Sequence, residues 1–457
     1  MGNVNTATAP QQAAMDQAVR HLASSYAPKG NYIGFLMLAS LFVEAWDYYS
    51  AAFVLVFIKE EFNPPAMMLG LSAASVQAGA VVGSLLGGWL TDRLGRRIMF
   101  MVSIALFIVL ALAQSFAGSV LSLIIIRFFL GIPLGADVTT GYTYIMEYLP
   151  QGRRDVMGNR WQVMFAAGQT VCGIVVAGFL LVGMAHPWIW RVILGLGALP
   201  ALVILLMRTE LPETSIWLIR QGRFREAKQI SQRMYNDSLD MLPDHDVTVT
   251  KPGVMAFLSD LRSDPTRWRA AIYAWLSFLC CGGQFSTFGF YIPVIFMMVG
   301  VSSLIGISLT TGAIWFLAGI AAWTGPAITP RLGHRGIGIW GFSIVIVGLS
   351  MAAWALYTSH PYVLPLAAAI MIWGHTWAVT TPLTIATVVA RAEYRGIMGG
   401  VTYVFNKVAV FMGIFLFPSF FAAIGQANAT VFVLIFPISA LLLAIFMFRE
   451  VYGYQLD

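Results

Sequence analysis

The sequence predicts an all-α membrane protein of twelve transmembrane helices in two pseudo-symmetric six-helix bundles. Three observations carry that expectation. Of 457 residues, 58% are hydrophobic and only 11% charged, against about 25% charged in a soluble domain. The apolar residues gather in about twelve runs, each close to the roughly 20 residues a helix needs to cross a bilayer. The runs fall into six, a polar gap and six more, and a charged pattern of the first half returns in the second.

The spans are expected at 31–58, 68–90, 98–117, 119–149, 157–182 and 188–207, then at 269–298, 303–328, 337–357, 361–389, 397–423 and 427–448. They form bundles 31–207 and 269–448, flanked by polar tails 1–30 and 449–457. The first tail, with Gln11, Gln12, Asp16 and Arg20, lacks the early apolar core of a secretory signal, so the first span is expected to stay in the protein. The connector 208–268 carries Arg220, Arg223, Arg225 and Lys228 early and Asp237, Asp240, Asp244 and Asp246 later, and its first part reads as short amphipathic helices.

With the N-terminus in the cytoplasm, the outer loops hold only Lys59 and Arg191 as basic residues. The inner loops hold Arg93, Arg96, Arg97, Arg153, Arg154, Arg331, Arg335, Arg391, Arg395 and the basic connector. The positive-inside rule therefore expects both tails in the cytoplasm of a cell with an inner (plasma) membrane. The same loops account for the net charge of +6 without nucleic acid as a partner. Cys172, Cys280 and Cys281 and the six histidines show neither metal-ligand nor disulfide spacing, and no nucleophile–base pair or phosphate loop stands out. No metal, cofactor or enzymatic activity is expected. The expected partners are a small-molecule substrate, protons and the lipid bilayer, with the monomer as the working unit.

The repeat is specific. Gly88, Asp92, Arg93, Gly95 and Arg97 are echoed 238 positions later by Pro326, Pro330, Arg331, Gly333 and Arg335, and Arg154, Met157 and Gly158 are echoed 241 positions later by Arg395, Met398 and Gly399. Two copies of a six-helix unit place a substrate site between the halves near mid-membrane. The run Gly88-Trp-Leu-Thr-Asp92-Arg93-Leu-Gly95-Arg96-Arg97 resembles the signature loop of the major facilitator superfamily. The resemblance implies a cytoplasmic latch: a turn glycine, an acid that caps and pairs, and bases that bind neighbouring helix ends. Glu147 and Arg160 read as partners of Arg93 and Arg97, with Arg331 and Arg335 as the second-half counterparts.

Two further stretches resemble particular branches. Arg127-Phe-Phe-Leu-Gly131-Ile-Pro-Leu-Gly135-Ala-Asp137, running on to Glu147, Pro150, Arg153 and Arg154, is similar to the fourth span of sugar porters and of phosphate or organic-acid symporters. Pro212-Glu213-Thr214-Ser215-Ile216-Trp217-Leu218, with Gly222, Arg223, Glu226 and Ala227, is similar to the sugar-porter central-loop motif, except that Ser215 and Ile216 stand where that family usually has Pro-Arg.

Five ionisable residues sit deep in the spans, where a charge is costly and so marks function: Glu44, Asp47, Arg127, Asp137 and Lys407. Glu44 and Asp47, three apart, are expected to share a helix face. Asp47 and Arg127 lie roughly 16 Å and roughly 12 Å below the outer ends of their spans, counting about 1.5 Å per residue, so they can pair. An acid that pairs in one state and takes up a proton in another can couple transport to protons, and the first-span acid and fourth-span arginine of proton-coupled sugar porters look like this pair. Asp137 matches an aspartate of the phosphate-symporter branch and is expected to bind substrate or proton.

Lys407, beside Asn406, is expected to stand unpaired at mid-depth and to attract an anion. Gln284, Ser286, Thr287 and Tyr291 on span seven offer hydrogen bonds, while Trp373, His375 and Trp377 on span ten are expected to share a face. The expected function is proton-coupled import of a small organic anion, a monocarboxylate or aromatic acid, by alternating access. The alternatives are a sugar or polyol:proton symporter, then a phosphate symporter or an exporter of cationic drugs.

Overall fold

A computed structural model describes residues 9–150, 153–249, 254–298, 300, 303–391 and 394–454. Parts of the three polar segments, residues 1–8, 250–253 and 455–457, lie outside the described residues. Six spans come first: Gly30–Phe62, Met67–Leu94, Arg96–Ser115, Val120–Tyr148, Arg153–Leu181 and His186–Arg208. The second group is Pro265–Met297, a helix Leu304–Tyr357, then Pro361–Val388, Arg395–Phe417 and Gln426–Phe446. The 54-residue helix is broken at Gly333, where φ is +69°. The break makes it two spans, the eighth and ninth, so the described residues hold twelve spans.

Gly333 and its first-half equivalent Gly95 (φ +105°) both need the left-handed backbone that glycine alone tolerates freely. Under each turn lies a carboxylate. Glu213 accepts from the Arg97 amide at 3.1 Å, and Glu450 accepts from the amides of His334 and Arg335 at 3.0 and 2.9 Å. An acid at a helix N-terminus satisfies its unpaired donors and its dipole. A Cβ at Gly95 would lie 2.3 Å from Glu213 Oε2 and one at Gly333 2.1 Å from Glu450 Oε2.

Within the first half, spans two and four pack through small residues, so that a Cβ at Gly79, Gly83 or Gly131 would fall within about 2 Å of a carbonyl of the facing helix. Close backbone approach through glycine is how helices associate where no hydrophobic effect drives them together. The same device joins the halves: Gly88 of span two meets Gly396 of span eleven, and Gly400 meets Ser84. On the opposite face Gly173 of span five meets Ser308 of span eight, and Tyr49 donates to the Gly289 carbonyl at 3.2 Å. The halves therefore touch on both sides of the mid-plane.

The N-terminal tail is more than a polar extension. Helix Ala9–Ser24 lays Met15, Ala18, Val19 and Leu22 against Ile216, Leu218, Phe224 and Ala227 of the connector, and Asp16 pairs with Arg220 at 2.6 Å. Connector helices Ser215–Arg220 and Phe224–Tyr235 thus cap the face that carries the basic loops.

Candidate functional site

Span seven changes winding at mid-depth. One π-helical turn, Phe285–Gly289, separates Pro265–Gln284 from Ile292–Met298, an irregularity frequent at functional sites. It brings Phe285 against Tyr48 of span one, ring centroids 5.6 Å apart, and against His375 of span ten at 5.0 Å. Around it lies a cavity between the halves, lined by Glu44, Tyr48, Trp161, Gln162 and Phe165 from one half and by Cys281, Gly282, Phe285, His375, Val379, Tyr403, Asn406, Lys407 and Val410 from the other. Its free volume of about 30 Å³ is room for water and little more. A larger solute requires the walls to part.

Lys407 lines this cavity, yet the expectation of an unpaired cation is corrected. Its Nζ lies 2.5 Å from Glu44 Oε1, and the Tyr403 hydroxyl donates to the same carboxylate at 2.6 and 2.7 Å. Glu44 and Lys407 are 3% and 5% exposed and belong to different halves. A desolvated charge is stable only when paired and hydrogen-bonded, and sequence spacing cannot reveal a partner 363 positions away. Tyr403, one turn before Lys407, is part of this site and was missed, although spacing i, i+4 signals a shared face.

Asp47 and Arg127 are brought together at 3.2 Å, each 1% exposed. Gln114 of span three, also missed, donates to Asp47 Oδ1 at 3.1 Å and accepts from Arg127 Nη1 at 3.1 Å. A lone amide in an apolar run was the available signal. This triad is enclosed within the first half, one helical turn from Glu44. Positions three apart are about 60° apart around a helix, and from that one side the two acids reach different partners, Glu44 on span eleven and Asp47 on spans three and four.

Asp137 does not line the cavity. Arg208 at the end of span six holds it at 2.7 Å and also donates to the Met37 carbonyl and to Ser40, at 3.1 Å each, so Asp137 fastens three helices of one half. Trp377 is turned to span eight, where it donates to the Ala321 carbonyl at 3.1 Å. Residues two apart on a helix point about 200° apart, so only His375 of the aromatic set reaches the cavity, and Trp373 does not line it. Gln284 reaches His375 at 3.0 Å behind the wall. Asn406 lines the cavity and donates to the Phe278 carbonyl at 3.0 Å. Ser286 and Thr287 bond back to Gly283, and Tyr291 donates to the Ile414 carbonyl at 2.7 Å.

The latch has a different centre from the one expected. Arg96, 1% exposed, meets Glu147 at 2.8 Å and Asp92 at 3.2 Å, and Thr214 hydrogen-bonds the other oxygen of Glu147. Arg93 stacks on Trp89 at 4.3 Å, and Arg97 reaches outward to the Thr209 carbonyl. Arg96 is the first residue after the glycine turn and points inward, which leaves its neighbours outside. Arg160 sits 4.5 Å over Trp323 of the other half and is no partner of Arg93 or Arg97. Arg331 is exposed, and Arg335 binds the carbonyls of Ala444 and Ile445 at 3.0 and 2.7 Å. Burial pushes the Glu213 carboxyl above its usual range, while Arg96 and the amides of Thr214 and Arg97 draw it back.

Asp92 crosses between the halves, its Oδ2 accepting from the Ile397 amide at 3.1 Å. Asp92→Asn is therefore expected to shift the closing equilibrium of this face by about tenfold or more, taking 1.5–3 kcal/mol for a charged hydrogen bond. Transport of every substrate should slow with affinity nearly unchanged, as measured by initial rates against concentration in liposomes. A switch of substrate preference would put the loop in the binding site instead.

Comparison with known proteins adds the context. The sequence profile described as sugar (and other) transporter matches residues 3–455. The inner membrane metabolite transport protein YgcS of Escherichia coli (strain K12) is 30% identical over 294 residues, 63% of this chain and 63% of that protein. The arabinose-proton symporter of the same organism is 33% identical over 184 residues, 40% of this chain and 38% of that one. The solved structure of the proton:xylose symporter XylE bound to 6-bromo-6-deoxy-D-glucose superposes with a TM-score of 0.77 at 18% identity, covering 94% of this chain and 98% of that one, which shows the fold.

Proposed function

The chain belongs to the sugar (and other) transporter family, a multi-pass membrane transporter and not an enzyme, and we propose that it imports a neutral polyhydroxylated solute, a sugar or polyol, together with a proton by alternating access. The observation that carries this cargo is the Glu44–Lys407 pair. The cation that argued for an organic anion is already neutralised. What remains on the cavity wall is Gln162, Asn406, His375 and the rings of Tyr48, Trp161 and Phe285, groups that bond hydroxyls and stack on a sugar's apolar face. The names of two relatives, an arabinose-proton symporter and a proton:xylose symporter, point the same way. The Asp47–Gln114–Arg127 triad is the coupling site, and the basic-loop face is the cytoplasmic one in an inner membrane.

Liposomes loaded at alkaline pH and placed in acid test the proposal. A labelled pentose, hexose or inositol is expected to accumulate several-fold and to leave when a protonophore is added. Accumulation of a monocarboxylate, an aromatic acid or phosphate with none of the polyols would overturn the cargo. Equilibration without accumulation would overturn the coupling.

A further inference from the structure

The second copy of the latch differs from the first in its charge chemistry. At the position 238 after Arg96 stands His334, and at the position 241 after Glu147 stands Val388. In the first copy a permanent cation meets an acid of its own half. In the second that acid is absent, and the titratable ring reaches the other half instead. His334 Nε2 lies 3.0 Å from Asp155 Oδ1 and Nδ1 lies 3.4 Å from Asn159 Nδ2. Asp155 and Asn159 begin span five, and all three side chains are 0% exposed.

The surroundings suit two protonation states. With one ring proton, Nε2–H donates to Asp155 and Nδ1 accepts from the Asn159 amide. Asn159 Oδ1 is buried without a hydrogen-bond partner, and an amide turned by half a revolution exchanges its nearly isosteric oxygen and nitrogen. That turn gives Nδ1–H an acceptor, so an imidazolium would donate to Asp155 on one side and Asn159 on the other. Among the described residues four other charged or titratable groups surround it, and two of them, Arg154 and Tyr452, also feel the charge of Asp155. Glu450 accepts from the His334 amide at 3.0 Å, the Tyr452 ring lies 5.9 Å away, Arg335 is bound to Ala444 and Ile445, and Arg154 reaches the Tyr454 carbonyl at 3.5 Å.

We propose that His334 is a proton-binding site of the gate on the basic-loop face. Protonated, it ties the halves through Asp155 and Asn159 and holds that face shut. Neutral, it keeps only a weaker bond and the face opens readily. A histidine can gain and lose the proton that Arg96 in the first copy always keeps, so the gate responds to the pH of the compartment it faces. A symporter that acidifies this compartment would thereby slow its own opening. The inference rests on the halves separating at this face, not on the cargo or on Asp47.

Spin labels at Ile98 and Leu332, exposed residues of opposite halves near this face, read the opening directly in the purified full-length chain without any substrate. The closed-to-open ratio of the wild type is expected to rise about 5- to 150-fold, the usual range of coupling between sites, as pH falls from about 8 to about 5.5. His334→Gln should lose that response and His334→Arg should remain closed throughout, each read in the Asp47→Asn background so that the coupling carboxylate contributes no proton of its own. If His334→Gln does not fold, the isosteric Asp155→Asn carries the same test. In that background a pH profile that persists in His334→Gln or Asp155→Asn overturns the proposal. The transport reading fails separately, in the accumulation assay.

Discussion

Asp47→Asn is expected to abolish uphill, proton-driven accumulation while leaving exchange of solute across the membrane. Asp47 lies beside the Arg127 guanidinium, with the Gln114 amide donating to it. In the proposed cycle the helices shift, the cation turns away, and the carboxylate that loses its counter-ion is the group that receives the driving proton. Asparagine mimics the neutral form permanently. Exchange needs no net proton movement and should persist, whereas accumulation should fall to the equilibrium value.

The substitution also leaves Arg127 buried without its counter-ion, which costs about 3–5 kcal/mol where one member of a buried pair is removed. Asp47→Asn/Arg127→Gln should recover much of the thermal stability and none of the coupling, separating chemistry from folding. Continued concentration of solute by Asp47→Asn under an imposed pH gradient would move the coupling site to Glu44.

The second large effect concerns the pair that crosses the cavity. Lys407→Ala and Glu44→Gln should each destabilise the protein by about 3–5 kcal/mol, because each strands one charge between the halves. Replacing both, as Glu44→Gln/Lys407→Gln, should cost much less than the sum, since two neutral amides can hydrogen-bond each other and Tyr403. Thermal unfolding of the wild type, Glu44→Gln, Lys407→Gln and the double variant gives the coupling directly. With a neutral cargo, binding in the double variant should be reduced only modestly. If Lys407→Ala instead kept full stability and selectively lost binding of a monocarboxylate, the lysine would be a substrate group and the sugar reading would fall.

Much of the architecture was legible in the chain because it is written in composition and period. Twelve apolar runs and a polar gap follow from what a bilayer demands of a helix, and the echo at an offset of 238 positions marks the repeat. The glycine turns at Gly95 and Gly333 were visible as motif positions, and matching depths anticipated that Asp47 and Arg127 meet. The fastening of the N-terminal helix was not visible, because its four apolar residues are unremarkable until the connector offers them a surface. Gln114 and Tyr403 carried weak signals, a lone amide in an apolar run and a phenol one turn from a lysine.

By itself, then, the sequence determined the membrane class, the two-fold repeat, the latch loop and the identity of the deep charges. Each of these depends on local spacing or on the cost of burying a group, and both can be read along one dimension. Only the tertiary structure decided who meets whom: Lys407 with Glu44, Asp137 with Arg208, Glu147 with Arg96, His334 with Asp155. An ion pair is settled by proximity within a few ångströms, and the chain fixes that only when helices distant in sequence pack together. Two of these partnerships join opposite halves, so the packing that assigns them is also the packing that alternating access must undo.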